Sequence, residues 1–249
     1  MSLKIESLDG IVLSETNYSE SSKILNVLTK EHGLIGVMSK GCRNMKSKLR
    51  GVSRKLLCGT FHLYYKENGL STLIGVDVIE SFSKTIMDLE KISYASFLLD
   101  LTLQVVRESE SIELYTLLKD TLLKIEEGFS PIVLTNILEL KYLDYLGVAP
   151  NIHSCTYCGS SKGIVTLSSE AGGYICKNCY QNEGIVSEKT IKMIQMYYYV
   201  DIKNIKKLEV KDEVTLEINR FLDDYYERFT GLYLKSKDFI RRLNQLGTK

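Results

Sequence analysis

The sequence predicts an α+β chain of several parts: a small antiparallel β-barrel, then an α-helical domain that carries an inserted four-cysteine metal-binding segment. Three observations lead there. Apolar residues alternate with polar ones in short runs over residues 4–81; they recur every three or four positions from about Asp88; and two Cys-x-x-Cys pairs interrupt the helical pattern. The expected division is a barrel over 1–81, a metal-binding segment over 151–187, and a helical domain formed by 82–150 and 188–249. With 249 residues, 44% of them hydrophobic and 25% charged, the chain is long enough to bury such cores and lacks the bias of disordered or fibrous sequences.

Within the barrel region, Ile24, Leu25, Val27 and Leu28, then Leu34, Ile35, Val37 and Met38, flank the turn Thr29-Lys30-Glu31-His32-Gly33 as the arms of a hairpin. Phe61, Leu63 and Tyr65 alternate with His62 and Tyr64. After Lys66-Glu67-Asn68-Gly69 the pattern resumes with Leu70, Leu73, Ile74, Val76 and Val78. About five short strands with no helical run between them suit a barrel better than a βαβ unit. The connection between the third and fourth strands then contains KGCRNMKSKLRGVSRK, residues 40–55, with seven cations and no acid.

Beyond Asp88, Leu89, Ile92, Ser96, Leu99, Leu103 and Val106 mark one amphipathic helix, and Leu114, Leu117, Leu118, Leu122 and Ile125 a second. Ser130-Pro131 opens a third, since Ser can cap free N–H groups and Pro fits the first turn; Gly147 and Pro150 stop it. Helical spacing returns in Ile191, Ile194, Met196 and Tyr197, in Val214, Ile218, Phe221, Leu222, Tyr225 and Phe229, and in a last short helix around residues 236–246 with Phe239, Ile240 and Leu243.

Residues 151–187 are rich in Gly and Ser and too poor in apolar residues to fold on a core. Cys155 and Cys158, then Cys176 and Cys179, form a C-x₂-C-x₁₇-C-x₂-C array. Each pair spans one tight knuckle, and four thiolates complete a tetrahedron, so the expected cofactor is one structural zinc with no open position for catalysis. Redox-active pairs come singly beside βαβ patterns, which this chain lacks. Cys42 and Cys58 have no partner at ligand spacing and read as ordinary barrel residues.

The formal net charge of +1 gives no sign of a polyanion partner, but it is a cancellation. Residues 1–80, 81–150, 151–187 and 188–249 carry balances of +3, −5, 0 and +3. Cations every two to four residues on a loop anchored to a barrel can reach successive phosphates, with Arg offering a fork and Lys a point charge. Gly36-x₄-Gly41 is not a P-loop, because Cys42-Arg43 replaces Lys-Ser/Thr. Tyr64 or Tyr65 could stack bases, Tyr65 being the better candidate for the core. His32, His62 and His153 are scattered with no visible nucleophile or carboxylate context, and nothing in the sequence reads as an active site. No apolar run approaches the roughly 20 residues that span a bilayer, and the start MSLKIESLDG has no signal-peptide core, so the expected location is the cytoplasm, where thiols stay reduced.

The order of these parts resembles the RecO family of bacterial DNA repair proteins, the recombination mediators. The resemblance is carried by Lys40-Gly41-Cys42-Arg43-Asn44-Met45-Lys46-Ser47 with Leu49 and Gly51, by Leu143-Asp144-Tyr145-Leu146-Gly147-Val148-Ala149-Pro150 running into Cys155-Thr156-Tyr157-Cys158-Gly159, by Gly172-Gly173 leading to Cys176 and Cys179, and by Tyr233-Leu234-Lys235-Ser236-Lys237 with Phe239 and Leu243. It covers essentially the whole chain. It implies that the barrel is an OB-fold and that the chain is a non-enzymatic, nucleoid-associated protein of the RecF pathway. Such a protein binds single- and double-stranded DNA, anneals complementary strands and, with RecR, helps load RecA onto strands coated by SSB. Arg43, Lys46 and Ser47 carry over from the family's basic loop, and Lys40, Lys48, Arg50 and Arg54 join them on charge alone. The acidic SSB tail would dock on the helical domain, where Lys203, Lys206, Lys207, Arg241 and Arg242 are candidate cations. The competing reading is a zinc-stabilised interaction scaffold whose basic loop meets an acidic protein. A membrane or small-molecule partner is not expected.

Overall fold

A computed structural model describes residues 4–232 together with 236, 237, 239 and 240. Five strands, β1 (Lys4–Tyr18), β2 (Ser22–Thr29), β3 (Gly33–Ser39), β4 (Cys58–Tyr65) and β5 (Ser71–Glu80), close a barrel in the order β1-β2-β3-β5-β4. All neighbours are antiparallel except β3 and β5, which meet in parallel at Val37–Ser71 and Met38–Thr72. This is the five-stranded arrangement of an OB-fold. Closure leaves no long strand edge free to pair with another chain.

The strands are not uniformly short. β1 runs for 15 residues because its two halves serve different partners. Lys4–Ile11 pairs with β4 and Gly10–Tyr18 with β2, and the strand changes register between Val12 and Ser14. Such a bulge raises the local twist and lets one strand turn the barrel's corner. Gly10 and Gly59 face each other there. A Cβ on Gly59 would sit 2.6 Å from the Asp77 carbonyl oxygen, and one on Gly10 2.7 Å from a Val27 methyl, so the backbones approach too closely for any side chain.

Inward-facing Leu8, Val12, Leu25, Val27, Val37, Leu57, Phe61, Leu63 and Leu73 fill the barrel. Each such buried side chain contributes on the order of 1.5–3 kcal/mol relative to exposure. Cys42 and Cys58 are buried and serve as core residues, as expected.

Helices α1 (Ser83–Met87), α2 (Leu89–Glu108) and α3 (Glu113–Glu127) follow, and α2 and α3 pack on β1. Helix α1 has no side-chain cap of its own, with Phe82 held at φ 52°. The Glu126 carboxylate, from α3, accepts the Lys84 and Thr85 N–H groups at 2.9 and 2.7 Å and the Thr85 hydroxyl at 2.6 Å instead.

The chain divides into two compact units, Met1–Glu127 with Leu234–Lys249, and Gly128–Tyr233. Helices α1–α3 therefore belong with the barrel. The second unit holds α4 (Pro131–Tyr145), the hairpin β6 (Ile164–Ser168) and β7 (Gly173–Cys176), α5 (Glu188–Tyr199), a short 3-10 turn and α6 (Asp212–Phe229). Pro131 stands at the start of α4 as expected, but the Ser130 side chain makes no capping bond. After Leu146, Gly147 adopts φ 70° and the Val148 N–H returns to the Leu143 carbonyl, which closes α4 with a glycine-dependent cap. Of the last helix expected around 236–246, Ser236, Lys237, Phe239 and Ile240 are helical. Leu243, Arg241, Arg242 and Tyr233-Leu234-Lys235 lie outside the described residues.

Candidate nucleic-acid interface and metal centre

The basic connection, residues 40–57, is pinned to one end of the barrel from below. Leu49 and Val52 pack on the barrel core, Cys42, Leu56 and Leu57 are buried, and the buried Ser53 hydroxyl meets that of Ser39 at 2.7 Å. The Leu56 N–H donates to the Val12 carbonyl and the Val12 N–H to the Leu57 carbonyl, each at 3.0 Å, so the loop's exit is locked to the bulge of β1. Successive turns link the Asn44 N–H to Gly41, Ser47 to Asn44, Arg50 to Ser47 and Ser53 to Leu49. Apolar anchors hold the underside, which leaves the polar side chains to water.

The predicted site residues separate on this scaffold. Lys40, Arg43, Lys46, Lys48 and Arg50 are exposed, and no acidic side chain pairs with any of them among the described residues. Ser47 lies between them, half-buried, its Oγ accepting the Leu49 N–H at 3.3 Å. Arg54 is half-buried and donates to the Ser81 carbonyl at 3.2 Å. Lys55, next to it, pairs with Asp100 on α2 at 2.7 Å. The charge run thus ends in two half-buried cations and leaves five exposed. The tip between β1 and β2 joins this surface: Arg43 donates its N–H to the Ser21 carbonyl at 2.8 Å and its guanidinium to the Ser19 carbonyl at 3.3 Å. The Gly41 N–H reaches the Ser22 hydroxyl at 3.2 Å.

Of the two tyrosines singled out, Tyr65 is half-buried against the barrel core and stacked on His32, ring centroids 4.6 Å apart. Tyr64 is exposed near the end of β4, where it pairs with Thr72, itself the partner of Met38 just before the loop's entry. The histidines are better connected than their spacing shows. His32 lies 3.0 Å from Glu6, and His62 Nδ1 lies 2.8 Å from the Ser7 hydroxyl while its Nε2 lies 2.9 Å from Asp77. This Ser–His–Asp line crosses the open outer face of three strands, with the Asp77 side chain 81% exposed. Water is not excluded there, so the line is a surface ladder without the shielded setting that acyl transfer needs. It joins residues from β1, β4 and β5 and is invisible until their register is known.

In the second unit the four expected ligands converge. The Sγ atoms of Cys155, Cys158, Cys176 and Cys179 all lie within 4.8 Å of one another, those of Cys158 and Cys176 at 3.6 Å. A tetrahedral ion with metal–sulfur bonds near 2.3 Å would set sulfurs about 3.8 Å apart, so the donor set fits a soft divalent ion. The first knuckle closes by N–H bonds from Gly159 to the Cys155 carbonyl and from Cys155 to the Ser160 carbonyl, both 2.8 Å, and the second by Cys179 and Tyr180 to the Cys176 carbonyl. Gly173 is obligatory: its φ is 153°, and a Cβ would strike the Asn151 backbone. The cluster packed around the thiols is Cys155, Ile175 and Cys176 with a few flanking side chains, too small to stabilise the segment unaided. Burial alone would raise the Cys155 thiol, but N–H groups of Cys176, Cys158 and Tyr157 outweigh it and bring it down to about 6. Cys179 is pushed up to about 12, first by the Cys158 thiol and then by burial. Four thiolates so close cannot all ionise without a cation among them.

No helix among the described residues is long and apolar enough to cross a membrane. Family models for the recombination protein O N terminus and C terminus match residues 1–82 and 87–238. Curated relatives align over nearly the whole chain. The DNA repair protein RecO of Bacillus velezensis is 35% identical over 242 residues, 96% of this chain and 94% of the relative. That of Listeria monocytogenes is 33% identical over 245 residues, 97% and 96%, and that of Bacillus subtilis 33% over 242 residues, 96% and 94%.

Proposed function

Because the chain belongs to the RecO family of DNA repair proteins, we propose that it is a non-enzymatic recombination mediator that holds DNA on the loop of its OB-fold. In this reading residues 1–81 bind single- and double-stranded DNA, and strands held there anneal with their complements. With RecR, the protein helps load RecA onto SSB-coated strands. The helical residues of 82–150 and 188–249 receive the acidic tail of SSB, with Lys203, Lys206 and Lys207 as candidate cations. The four cysteines of 151–187 hold one zinc ion whose role is structural, and the protein works at the nucleoid in the cytoplasm.

The observation that carries the reading is the set of five exposed cations, Lys40, Arg43, Lys46, Lys48 and Arg50, without acidic partners among the described residues, on a loop fixed to the barrel. Fixed cations at successive turns neutralise successive phosphates without first ordering the loop, and release the condensed counterions. Ser47 can add a hydroxyl contact among them, and Arg54 adds positive field from its place on the Ser81 carbonyl.

A salt series of single-stranded DNA affinity tests it. Three or four phosphate contacts give log K falling against log salt with a slope of about −2 to −3. Changing Arg43, Lys46 and Lys48 together to Glu removes that dependence and most of the affinity. If the triple variant binds DNA unchanged while losing an acidic protein partner, the loop belongs to an interaction scaffold instead.

A further inference from the structure

We propose that Tyr18 is a base-stacking residue for unpaired nucleotides, placed beside the phosphate-binding loop so that the two together favour single strands over duplex. The inference rests on the reading of the loop given above and adds a second class of contact to it.

Tyr18 is the last residue of β1 and is 51% exposed. It pairs across the tip with Ser22, whose hydroxyl accepts the Gly41 N–H. The next residue, Ser19, turns the chain at φ 55° and offers its carbonyl to the Arg43 guanidinium, while the Ser21 carbonyl takes the Arg43 N–H. The tip that carries Tyr18 is therefore tied by three hydrogen bonds to the start of the cation run. A ring carried on so anchored a backbone can receive a base without the tip first having to be ordered.

The other two tyrosines of the barrel strands are not joined to the cation run in this way. The Tyr65 ring is already stacked on His32. Tyr64 lies six residues along β4 from Cys58, about 20 Å from the loop's exit at the rise of a strand, and β5 stands between it and the loop's entry, since Tyr64 pairs with Thr72 and Thr72 with Met38. Phosphate cations alone do not distinguish one strand from two. An aromatic face next to them does, since every unpaired base has a free π-face whereas duplex bases are stacked on each other.

The chain contains no Trp, so Tyr18→Trp creates a sole indole reporter at this position. The probes are a thymidine oligonucleotide and a blunt-ended duplex of two complementary strands of equal length. The expected result is saturable quenching of Trp emission by the oligonucleotide and none by the duplex. Tyr18→Ala then weakens single-strand affinity by about five- to hundredfold with duplex affinity and the salt slope unchanged. Unchanged duplex binding also shows that the variant is folded. Oligonucleotide binding without quenching, with Tyr18→Ala equal to the parent protein, overturns the proposal and leaves the loop reading standing if the Arg43, Lys46 and Lys48 reversal still abolishes binding. If that reversal changes neither probe's affinity, the reading beneath has failed and the proposal falls with it.

Discussion

At the scale of single residues, the barrel depends on two positions where no side chain fits. Gly10 and Gly59 are directly opposed, and the 2.6 Å approach of a Cβ at 59 is to a backbone carbonyl, which cannot rotate away. Gly59→Ala is therefore expected to cost about 1–3 kcal/mol by overpacking, read as a lower midpoint in urea. Gly51, with open space where its Cβ would stand, serves as the control, and Gly51→Ala should leave the midpoint within about 0.5 kcal/mol. The ligand cysteines were legible at this scale because their spacing is itself the chemistry. Which cations of residues 40–55 remain free was not. The partners of Arg54 and Lys55 are Ser81 and Asp100, which only the folded chain brings near.

At the scale of elements, apolar period marks β2 to β5 and most helices from their own residues, where one face is buried, whereas α4 is buried from Val133 through Leu140 and is bounded instead by Pro131 and Gly147. The period could not report pairings between elements. The length of β1 has no local sign because its halves answer to two partners, and the parallel contact of β3 with β5 leaves no local trace. The cap of α1 is the same kind of feature: Glu126 reaches it from α3, and no residue next to α1 hints at it. Burial acts to raise the Glu126 carboxyl, but the Thr85 hydroxyl and the two backbone N–H groups overcome this and hold it below its ordinary 4.5. A carboxylate whose folded value is lowered stabilises fully above its unfolded value and loses that contribution as pH falls through the lowered one. Glu126→Ala, which leaves a buried hydroxyl and two N–H groups unpaired, is expected to cost about 1–3 kcal/mol at pH 7, with the difference from the parent shrinking below pH 4 in parallel thermal melts.

At the scale of the whole molecule, the near-neutral charge conceals a segregation: a free cation surface on the barrel and acidic helices after it. The four-cysteine cluster and the cation loop also fall in different compact units. Loss of the metal should therefore be a local event. Cys176→Ser, or strong chelation, is expected to unfold residues 151–187, seen as protease cleavage within that segment and loss of about one metal equivalent per chain, while single-stranded DNA affinity changes less than about twofold. A parallel loss of DNA affinity would mean that the cysteine segment takes part in binding. The family match spans both units, residues 1–82 and 87–238, so the chain carries the two parts as one inheritance.

The bond pair that fastens the loop's exit to the bulge of β1 joins residues 12, 56 and 57, and β1 meets β4 as far apart as Lys4 and Tyr65. Contacts between such distant stretches of chain form late in folding, after the local β1–β2 and β2–β3 hairpins, because the intervening segment must first be gathered in. The cation surface is thus assembled by the closing step of the barrel itself. A nascent or partly unfolded chain carries the same basic residues as a slack string, and sets them on one ordered surface only when the last seam is sewn.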